Sequence, residues 1–213
     1  MKKYLKETKH LDYSSEAIQE LIKPYLALSS DKEKAVNLYY NVRDRFLYDP
    51  YHLNLTPDFL KASVIMKKNR AWCVEKSIVL ASALRALGIP TRLGYGIVVN
   101  HIGVEKLTKM LKTEEIVFHG YVDVLLNDKW VKTTPAFDKT VCRMSGVPPL
   151  EWNGEKDAMF QAYSGDQKFM EYTHFYGTFD DVPVELMNAE MKKYYPHLFE
   201  EEYNTRKFSF IHI

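Results

Sequence analysis

One cysteine in this chain has a position that suits nucleophilic catalysis. Cys73 opens the segment CVEKSIVLASALRALGIP, in which Val74, Ile78, Ala81 and Leu84 recur on one face of a predicted helix. The amino terminus of a helix has unpaired backbone N–H groups and a positive dipole end, and both favour a thiolate. The position therefore predicts that Cys73 is a nucleophile whose own N–H could stabilise an oxyanion.

Basic residues just before the cysteine strengthen this prediction. Lys67, Lys68 and Arg70 add positive potential near Cys73, which would lower the thiol pKa from its usual value of about 8.5. The alternative is that Cys73 is a small buried residue at a helix start, as many cysteines are.

A histidine follows at a position that suits a general base. His119 lies in IVFHGYVDVLL, whose alternating pattern predicts a strand with His119 on its less apolar face. Residues 127–129 supply a turn, and Trp130 to Thr134 would return as the second arm of a hairpin that Pro135 ends. Imidazole accepts a thiol proton near neutral pH. The alternative is a histidine that only makes ordinary hydrogen bonds.

Three ordered segments of the sequence resemble one enzyme family. DKEKAVNLYYNVRDRFLYDP, CVEKSIVLASALRALGIPTRLGYG and FHGYVDVLLNDKWVKTTP together resemble the transglutaminase-like superfamily of papain-related Cys-His-Asp enzymes, over roughly residues 12 to 138. The resemblance implies an α+β, papain-like cysteine proteinase fold. In that fold, amino-terminal helices precede a cysteine-bearing helix that packs on an antiparallel sheet. It also implies that Cys73 is the nucleophile and His119 the base.

The residue expected to orient the histidine differs from the family pattern. Thr134 stands before Pro135 where the family usually has an Asp, and a threonine cannot stabilise an imidazolium by charge. Asp138 is the predicted replacement, with the alternative that it caps or turns the following loop. Asp123 shares the strand face of His119 but lies roughly 13 Å away, which is too far for contact.

A second departure lies directly before the cysteine. Trp72 occupies the place where the family often has Gly, and this bulky side chain would border the cleft or the oxyanion site. No RGGxC-like approach to Cys73 is present, which disfavours an arylamine acetyltransferase.

The remaining elements are predicted from periodicity and from helix start and stop signals. We treat residues 1–213 as a single domain, with a core over about 12–138 and an extension at 150–213 that packs on it. The predictions are a helix from Ser15 that ends near Pro24, a helix after the Ser30 and Glu33 capping box, a short helix from Thr56 to Met66, a strand from Thr91, a loop or helical insertion over 100–115, and a last helix from Pro183 to Tyr194.

Composition and charge exclude several classes of partner. The chain has 29 basic and 28 acidic residues and no long single-sign run, so neither nucleic acid nor a membrane surface is an expected partner. No apolar leader or membrane span is present, so we expect a cytoplasmic protein. Cys142 is expected to be a structural or surface thiol, and the spacing of cysteines and histidines predicts neither a metal nor a cofactor.

The sequence thus predicts a cysteine-dependent acyl-transfer enzyme that acts on an amide bond of a protein or peptide through a thioester. Water as acceptor would make it a peptidase or amidase, and an amine would make it a transglutaminase. The alternative is a non-catalytic protein-binding module with a degenerate triad, which Thr134 favours.

Overall fold

A computed structural model describes residues 1–100, 105–160 and 170–213. The helices are α1 (Glu16–Ile22), α2 (Asp31–Arg45), α3 (Ala62–Ile65), α4 (Cys73–Ala86), α5 (Glu105–Leu111), α6 (Lys139–Met144) and α7 (Val184–Tyr194). The strands are β1 (Leu47–Tyr48), β2 (His52–Asn54), β3 (Arg70–Ala71), β4 (Thr91–Asn100), β5 (Glu115–Leu126), β6 (Lys129–Thr133), β7 (Met170–Phe179), β8 (Tyr203–Asn204) and β9 (Ser209–Ile211).

The amino-terminal helices begin and end largely where the local signals predict. α1 gives way to a 3-10 turn at Lys23–Tyr25, because Pro24 cannot continue the helix. α2 follows Ser30, whose hydroxyl accepts the Glu33 N–H at 3.2 Å. The predicted helix over 56–66 is wrong in one respect: extended backbone at Lys61 divides it into a 3-10 turn, Pro57–Leu60, and the short α3.

The helix that begins at Cys73 is the centre of the fold. α4 packs against α1 and α2 on one side and against β4 and β5 on the other, so every residue from Cys73 to Arg85 is buried. Two of these residues are cationic, and both donate to backbone carbonyls: Lys76 to Arg43 and Ala136, and Arg85 to Lys6, Thr91 and Asp180. Their hydrogen bonds allow charged groups inside a helix surrounded by protein.

The main sheet is antiparallel, with strand order β6-β5-β4-β7. The predicted hairpin joins β5 to β6 through Asn127 and Asp128, which have the positive φ angles of a tight hairpin turn. The tail contains no clear signal for β7, because its periodicity is weak and β7 is largely half-exposed. β7 pairs with β4 and is the fourth strand of the sheet.

A bulge in β5 lies directly before the predicted base. Phe118 has a φ of 64°, and the register with β4 shifts between Gly96 and Val98. The N–H of Val117 is thereby released from the ladder and donates to the Tyr195 hydroxyl at 2.7 Å. The bulge thus ties the start of β5 to the carboxyl-terminal region of the chain.

Smaller pairings close the carboxyl-terminal region over the core. β9 pairs in parallel with β2 and antiparallel with β8, while β1 pairs in parallel with β3. The last predicted helix is present as α7 and packs on β5. Within the predicted insertion over 100–115, the chain forms α5, and residues 101–104 lie outside the described part of the chain.

A glycine permits the contact between α4 and β5. A Cβ at Gly120 would lie 3.0 Å from Val74 Cα, 3.2 Å from the Cys73 carbonyl oxygen and 3.2 Å from Ser77 Oγ. Two of these atoms belong to the backbone and cannot move away without shifting the helix. The absence of a side chain at Gly120 therefore sets how closely the strand approaches the first turn of α4.

We expect Gly120→Ala to lower the free energy of unfolding by about 1–3 kcal/mol, because the added methyl group overpacks this contact. It should also change the alkylation rate of Cys73, since the first turn must shift. The measurements are urea denaturation and mass-resolved alkylation.

The matched control is Gly88→Ala at the other end of α4. Gly88 has a φ of 79° and open space around it, so this change strains the backbone without touching the first turn. A Gly120→Ala protein with unchanged stability and unchanged Cys73 alkylation would contradict the close packing described here.

Candidate active site

Cys73 is the first residue of α4, and its thiol receives hydrogen bonds but no solvent. The residue is only 1% exposed. Burial raises the pKa of the thiol to about 12, and hydrogen bonds from the backbone N–H groups of Gly120, Val74 and Cys73 oppose this rise. The prediction of a lowered pKa is wrong, because desolvation of the anion outweighs the helix N-terminus.

The basic residues before Cys73 do not act as predicted either. The Lys68 ammonium pairs with the carboxylate of Glu75, which also accepts the Trp72 N–H at 3.4 Å. Glu75 is buried in the first turn of α4, and its negative charge further raises the pKa of the Cys73 thiol. One of the three basic residues, Lys68, is therefore neutralised by an acid of the cysteine helix.

His119 is buried as a neutral imidazole. Its side chain is 1% exposed, and burial lowers its pKa to about 3. The Nδ1 atom lies 2.7 Å from the Tyr172 hydroxyl, while Nε2 has no hydrogen-bond partner within the described ranges. At neutral pH the site therefore holds a thiol and an uncharged imidazole, one nitrogen of which is unoccupied.

The hydrogen-bond partner of His119 is a residue that sequence reasoning missed. Tyr172 lies in β7, and its ring passes over Gly96, where a Cβ would come within 2.7 Å of the tyrosine ring. Burial raises the pKa of Tyr172 well above its usual value, and a negative charge on Cys73 would raise it further. The hydroxyl is thus within electrostatic reach of the thiol. The paired glycines of TRLGYG were the available signal.

The predicted acid is not brought to the imidazole. Asp138 is the N-cap of α6: one carboxylate oxygen accepts the N–H groups of Thr140 at 2.7 Å and Val141 at 3.2 Å, and the other accepts that of Tyr48 at 2.7 Å. Within the described ranges, no hydrogen bond joins Asp138 to His119. The capping role that the sequence offered as the alternative is the one its carboxylate has in the structure.

The other two residues considered as orienting groups also have different partners. Asp123 forms an ion pair with Arg92 on β4. Thr134 stands where the family usually has an acid, and its hydroxyl donates to the Gly120 carbonyl at 2.9 Å. Thr134 therefore supports the backbone next to His119 without supplying a charge.

A buried lysine positions the loop after β6. Lys76 Nζ donates to the carbonyls of Arg43 at 2.9 Å and Ala136 at 2.8 Å, and burial lowers its pKa to about 8. The next residue, Phe137, has its ring centroid 6.4 Å from that of His119 and 4.7 Å from that of Tyr48. The cysteine helix thus anchors the loop that packs beside the imidazole.

Trp72 borders a small apolar cavity together with Cys73. The Tyr48 side chain lines the same cavity, and burial, followed by the nearby Cys73, raises the pKa of Tyr48. The assignment of Trp72 to the cleft or to the oxyanion site stays a prediction.

The second cysteine and the histidines outside this site add no metal centre. Cys142 is buried in α6, 3.8 Å from the Phe137 carbonyl. Across the described ranges, no group of three or more His, Cys, Asp or Glu side chains is arranged to hold a metal ion. No helix in those ranges combines the length and the apolar character needed to cross a bilayer.

We expect the rate of Cys73 alkylation by iodoacetamide to keep rising with pH beyond pH 10. The raised pKa leaves little thiolate at neutral pH, and the fraction grows until the pH approaches about 12. The measurement is mass-resolved alkylation from pH 5 to 11, limited at the alkaline end by unfolding.

The control is the urea-denatured protein, in which the Cys73 rate should level off above a pKa of about 8.5. A plateau below pH 7 in the folded protein would instead indicate a thiolate–imidazolium pair and contradict the burial effect.

We expect Asp138→Ala to lower the free energy of unfolding by about 1–2 kcal/mol, because α6 loses its N-cap. Asp138→Asn should lose less, since the amide oxygen still accepts a hydrogen bond. Urea denaturation measures both. A variant that keeps its stability but loses a Cys73-dependent reaction would make Asp138 an orienting acid after all.

Comparison with known proteins gives the family. No curated protein matches the chain. One solved structure, described as a "putative cysteine protease" from Cytophaga hutchinsonii, aligns with a TM-score of 0.48 and 13% identity over 62% of this chain and 40% of its own. This chain thus spans well under half of that protein. The family model "Transglutaminase-like superfamily" matches residues 20–135, which is more than half of the chain. The predicted resemblance and the α+β fold are confirmed, and the chain belongs to the transglutaminase-like superfamily.

Proposed function

We propose that this protein is a cysteine-dependent acyl-transfer enzyme that cleaves an amide bond of a protein or peptide through a thioester on Cys73. The observation that carries the proposal is that Cys73 begins α4 and that the backbone of Gly120 packs directly against this first turn. Burial raises the pKa of the thiol, and the backbone N–H groups of Gly120, Val74 and Cys73 oppose that rise. Such donors stabilise the negative charge that develops on sulfur or on a carbonyl oxygen during acyl transfer. Membership of a superfamily of cysteine-dependent enzymes supports the same conclusion.

In the proposed reaction, His119 is the base and then the acid. The imidazole takes the proton of the Cys73 thiol as sulfur attacks the carbonyl carbon, and the oxyanion forms near the N–H groups. The carbon–nitrogen bond then breaks, and the leaving amine takes the proton from His119. Water next cleaves the thioester to give a carboxylic acid and restore the thiol. The unoccupied Nε2 of His119 supports this role, because that nitrogen is available for a proton.

The starting state of this reaction is uncharged. Burial holds Cys73 as a thiol and His119 as an imidazole across the neutral range. A base is then needed at the moment of attack, because no preformed thiolate is present. In this respect the site differs from a cysteine enzyme in which a thiolate–imidazolium pair is already formed before the substrate binds.

Tyr172 is the positioning residue in this proposal. Its hydroxyl lies 2.7 Å from Nδ1 of His119, so a tyrosine and not a carboxylate is the hydrogen-bond partner of this nitrogen. A hydrogen bond fixes the ring and its tautomer but contributes no full charge to an imidazolium. We therefore expect slower catalysis than a carboxylate would give.

We propose hydrolysis as the normal outcome, by analogy with small enzymes of this fold. Transfer to an amine would make the protein a transglutaminase. The proposal includes a cytoplasmic location, because both cysteines are buried thiols, which suits a reducing compartment.

A second candidate function is a non-catalytic protein-binding module. The observation that favours it is that, among the described residues, no carboxylate hydrogen-bonds to His119, while Thr134 uses its hydroxyl to support Gly120. The two candidates differ in one measurable property, the formation of a covalent adduct on Cys73.

We expect incubation with a peptide and amine library to leave an acyl adduct on Cys73, detected by intact mass and peptide mapping. Free acid products would indicate hydrolysis, and amide products would indicate transfer to an amine. Complete absence of an adduct and of products, in protein that binds peptides, would favour the binding module.

Variants of the base and its partner sharpen this test. His119→Ala should slow acylation by about 10²- to 10⁴-fold, the usual contribution of a general base. Tyr172→Phe should slow it by about tenfold, because the ring loses one hydrogen bond, and should alter its pH profile. The matched control is Tyr176→Phe in the same strand, which removes a hydroxyl bonded to Glu190. Equal effects of the two tyrosine variants would show that Tyr172 has only a structural role.

A further inference from the structure

The cavity beside Cys73 has an apolar wall. Its volume is about 40 Å³, and the side chains that line it include no charged group among the described residues. By the usual requirement of 10–15 Å³ for each water, this is room for about three water-sized groups. The wall is built by the start of α4, by α5, by the start of β5 and by the carboxyl-terminal region, with Leu107, Leu111, Val117, Tyr195, Leu198 and Phe210 among its residues.

The wall has few polar side-chain groups: the hydroxyls of Tyr48 and Tyr195, the Cys73 thiol, and the Trp72 indole N–H, which has no partner among the described residues. The Tyr195 hydroxyl donates to the Glu115 carbonyl and accepts the Val117 N–H, each at 2.7 Å. Water needs two to four polar partners to occupy such a space, so the cavity suits an apolar group better.

The thiol lies at the boundary between two unlike environments. Burial raises the pKa of the Cys73 thiol, and the backbone N–H groups of Gly120, Val74 and Cys73 oppose this rise. Cys73 also lines the apolar cavity. A thioester also has two unlike parts, a polar carbonyl and its attached chain. The carbonyl oxygen fits the N–H donors, and the chain fits the cavity.

We propose that the acyl group accepted by Cys73 is short and apolar, with a chain of about three to five carbons that occupies this cavity. This inference rests on the proposed function and specifies its substrate class. In a protein substrate, the group is an aliphatic side chain on the acyl side of the cleaved amide bond. A charged chain would lose its hydration without gaining a partner, so the cavity rejects it.

Chain length and charge can be tested with p-nitrophenyl esters of acetic, butanoic, 4-methylpentanoic, decanoic and succinic acid. In each reaction the Cys73 sulfur forms a thioester and p-nitrophenol leaves, so absorbance and intact mass follow one event. Rates are divided by those with glutathione, which removes the intrinsic reactivity of each ester.

We expect the corrected rate to rise about fourfold for each added methylene, or about fifteenfold from acetyl to butanoyl. It should fall again for decanoyl, whose chain exceeds the cavity. The 4-methylpentanoyl and hemisuccinyl groups have the same shape but differ in charge, and the neutral one should react at least tenfold faster. Equal rates across the series, or faster hemisuccinyl transfer, would overturn the inference.

A variant of the cavity wall tests whether the acyl chain of the ester occupies this cavity. Leu111→Ala removes three carbons from the wall and should move the optimum towards longer chains; Leu107→Ala serves the same purpose if the first variant does not fold. Leu186→Ala, on an α7 residue that is 38% exposed, should leave the series unchanged. An optimum that stays fixed in the wall variants would place the chain elsewhere and overturn the assignment.

The two proposals fail in different ways. If Cys73 is acylated equally by all esters and this depends on His119, the proposed function stands and the apolar specificity is wrong. If no ester acylates Cys73 faster than it acylates the denatured chain, both are wrong.

Discussion

The close approach of β5 to the first turn of α4 is the contact on which the site depends. Gly120 has no side chain, so the strand backbone reaches Val74 and the Cys73 carbonyl, and its N–H reaches the thiol. His119 directly precedes this glycine in β5. Thr134 then holds the Gly120 carbonyl from the neighbouring strand. A small number of backbone contacts therefore position the first turn of α4 and the part of β5 that carries His119.

Burial is the second determinant of this site, and its electrostatic effect opposes that of the helix N-terminus. N–H donors stabilise a thiolate by their partial charges, whereas removal of the anion from water costs more than these donors return. The pKa of the imidazole falls for the same reason, because its charged form is the cation. At neutral pH, the Cys73 thiol and the His119 imidazole are therefore uncharged, and the positive charge of Lys68 is balanced by Glu75.

Much of the architecture follows from local sequence signals, whereas the surroundings of the site do not. The Ser30 cap, the Pro24 stop, the helix at Cys73 and the hairpin at Asn127 each depend on residues within a few positions, so the sequence predicts them. The thiol pKa depends on burial by segments far along the chain, so helix position alone predicts a lowered pKa where the structure has a raised one. Tyr172 was missed because its strand has no regular alternation and its role comes from pairing with Val98, which places the tyrosine ring over Gly96. Asp138 shows the reverse case, because the local sequence predicts a capping role, which the structure has, while the family pattern predicts an orienting acid.

The closure of the cavity also has a consequence for folding. Part of its wall, including Leu198 and Phe210, comes from residues that follow Cys73 by more than a hundred positions. Contacts of such long sequence separation form late, because the chain must first lose the entropy of a large loop. Until these residues have packed, this part of the wall beside Cys73 is missing. We therefore expect oxidants and other thiols to modify Cys73 most readily before the carboxyl-terminal region has folded.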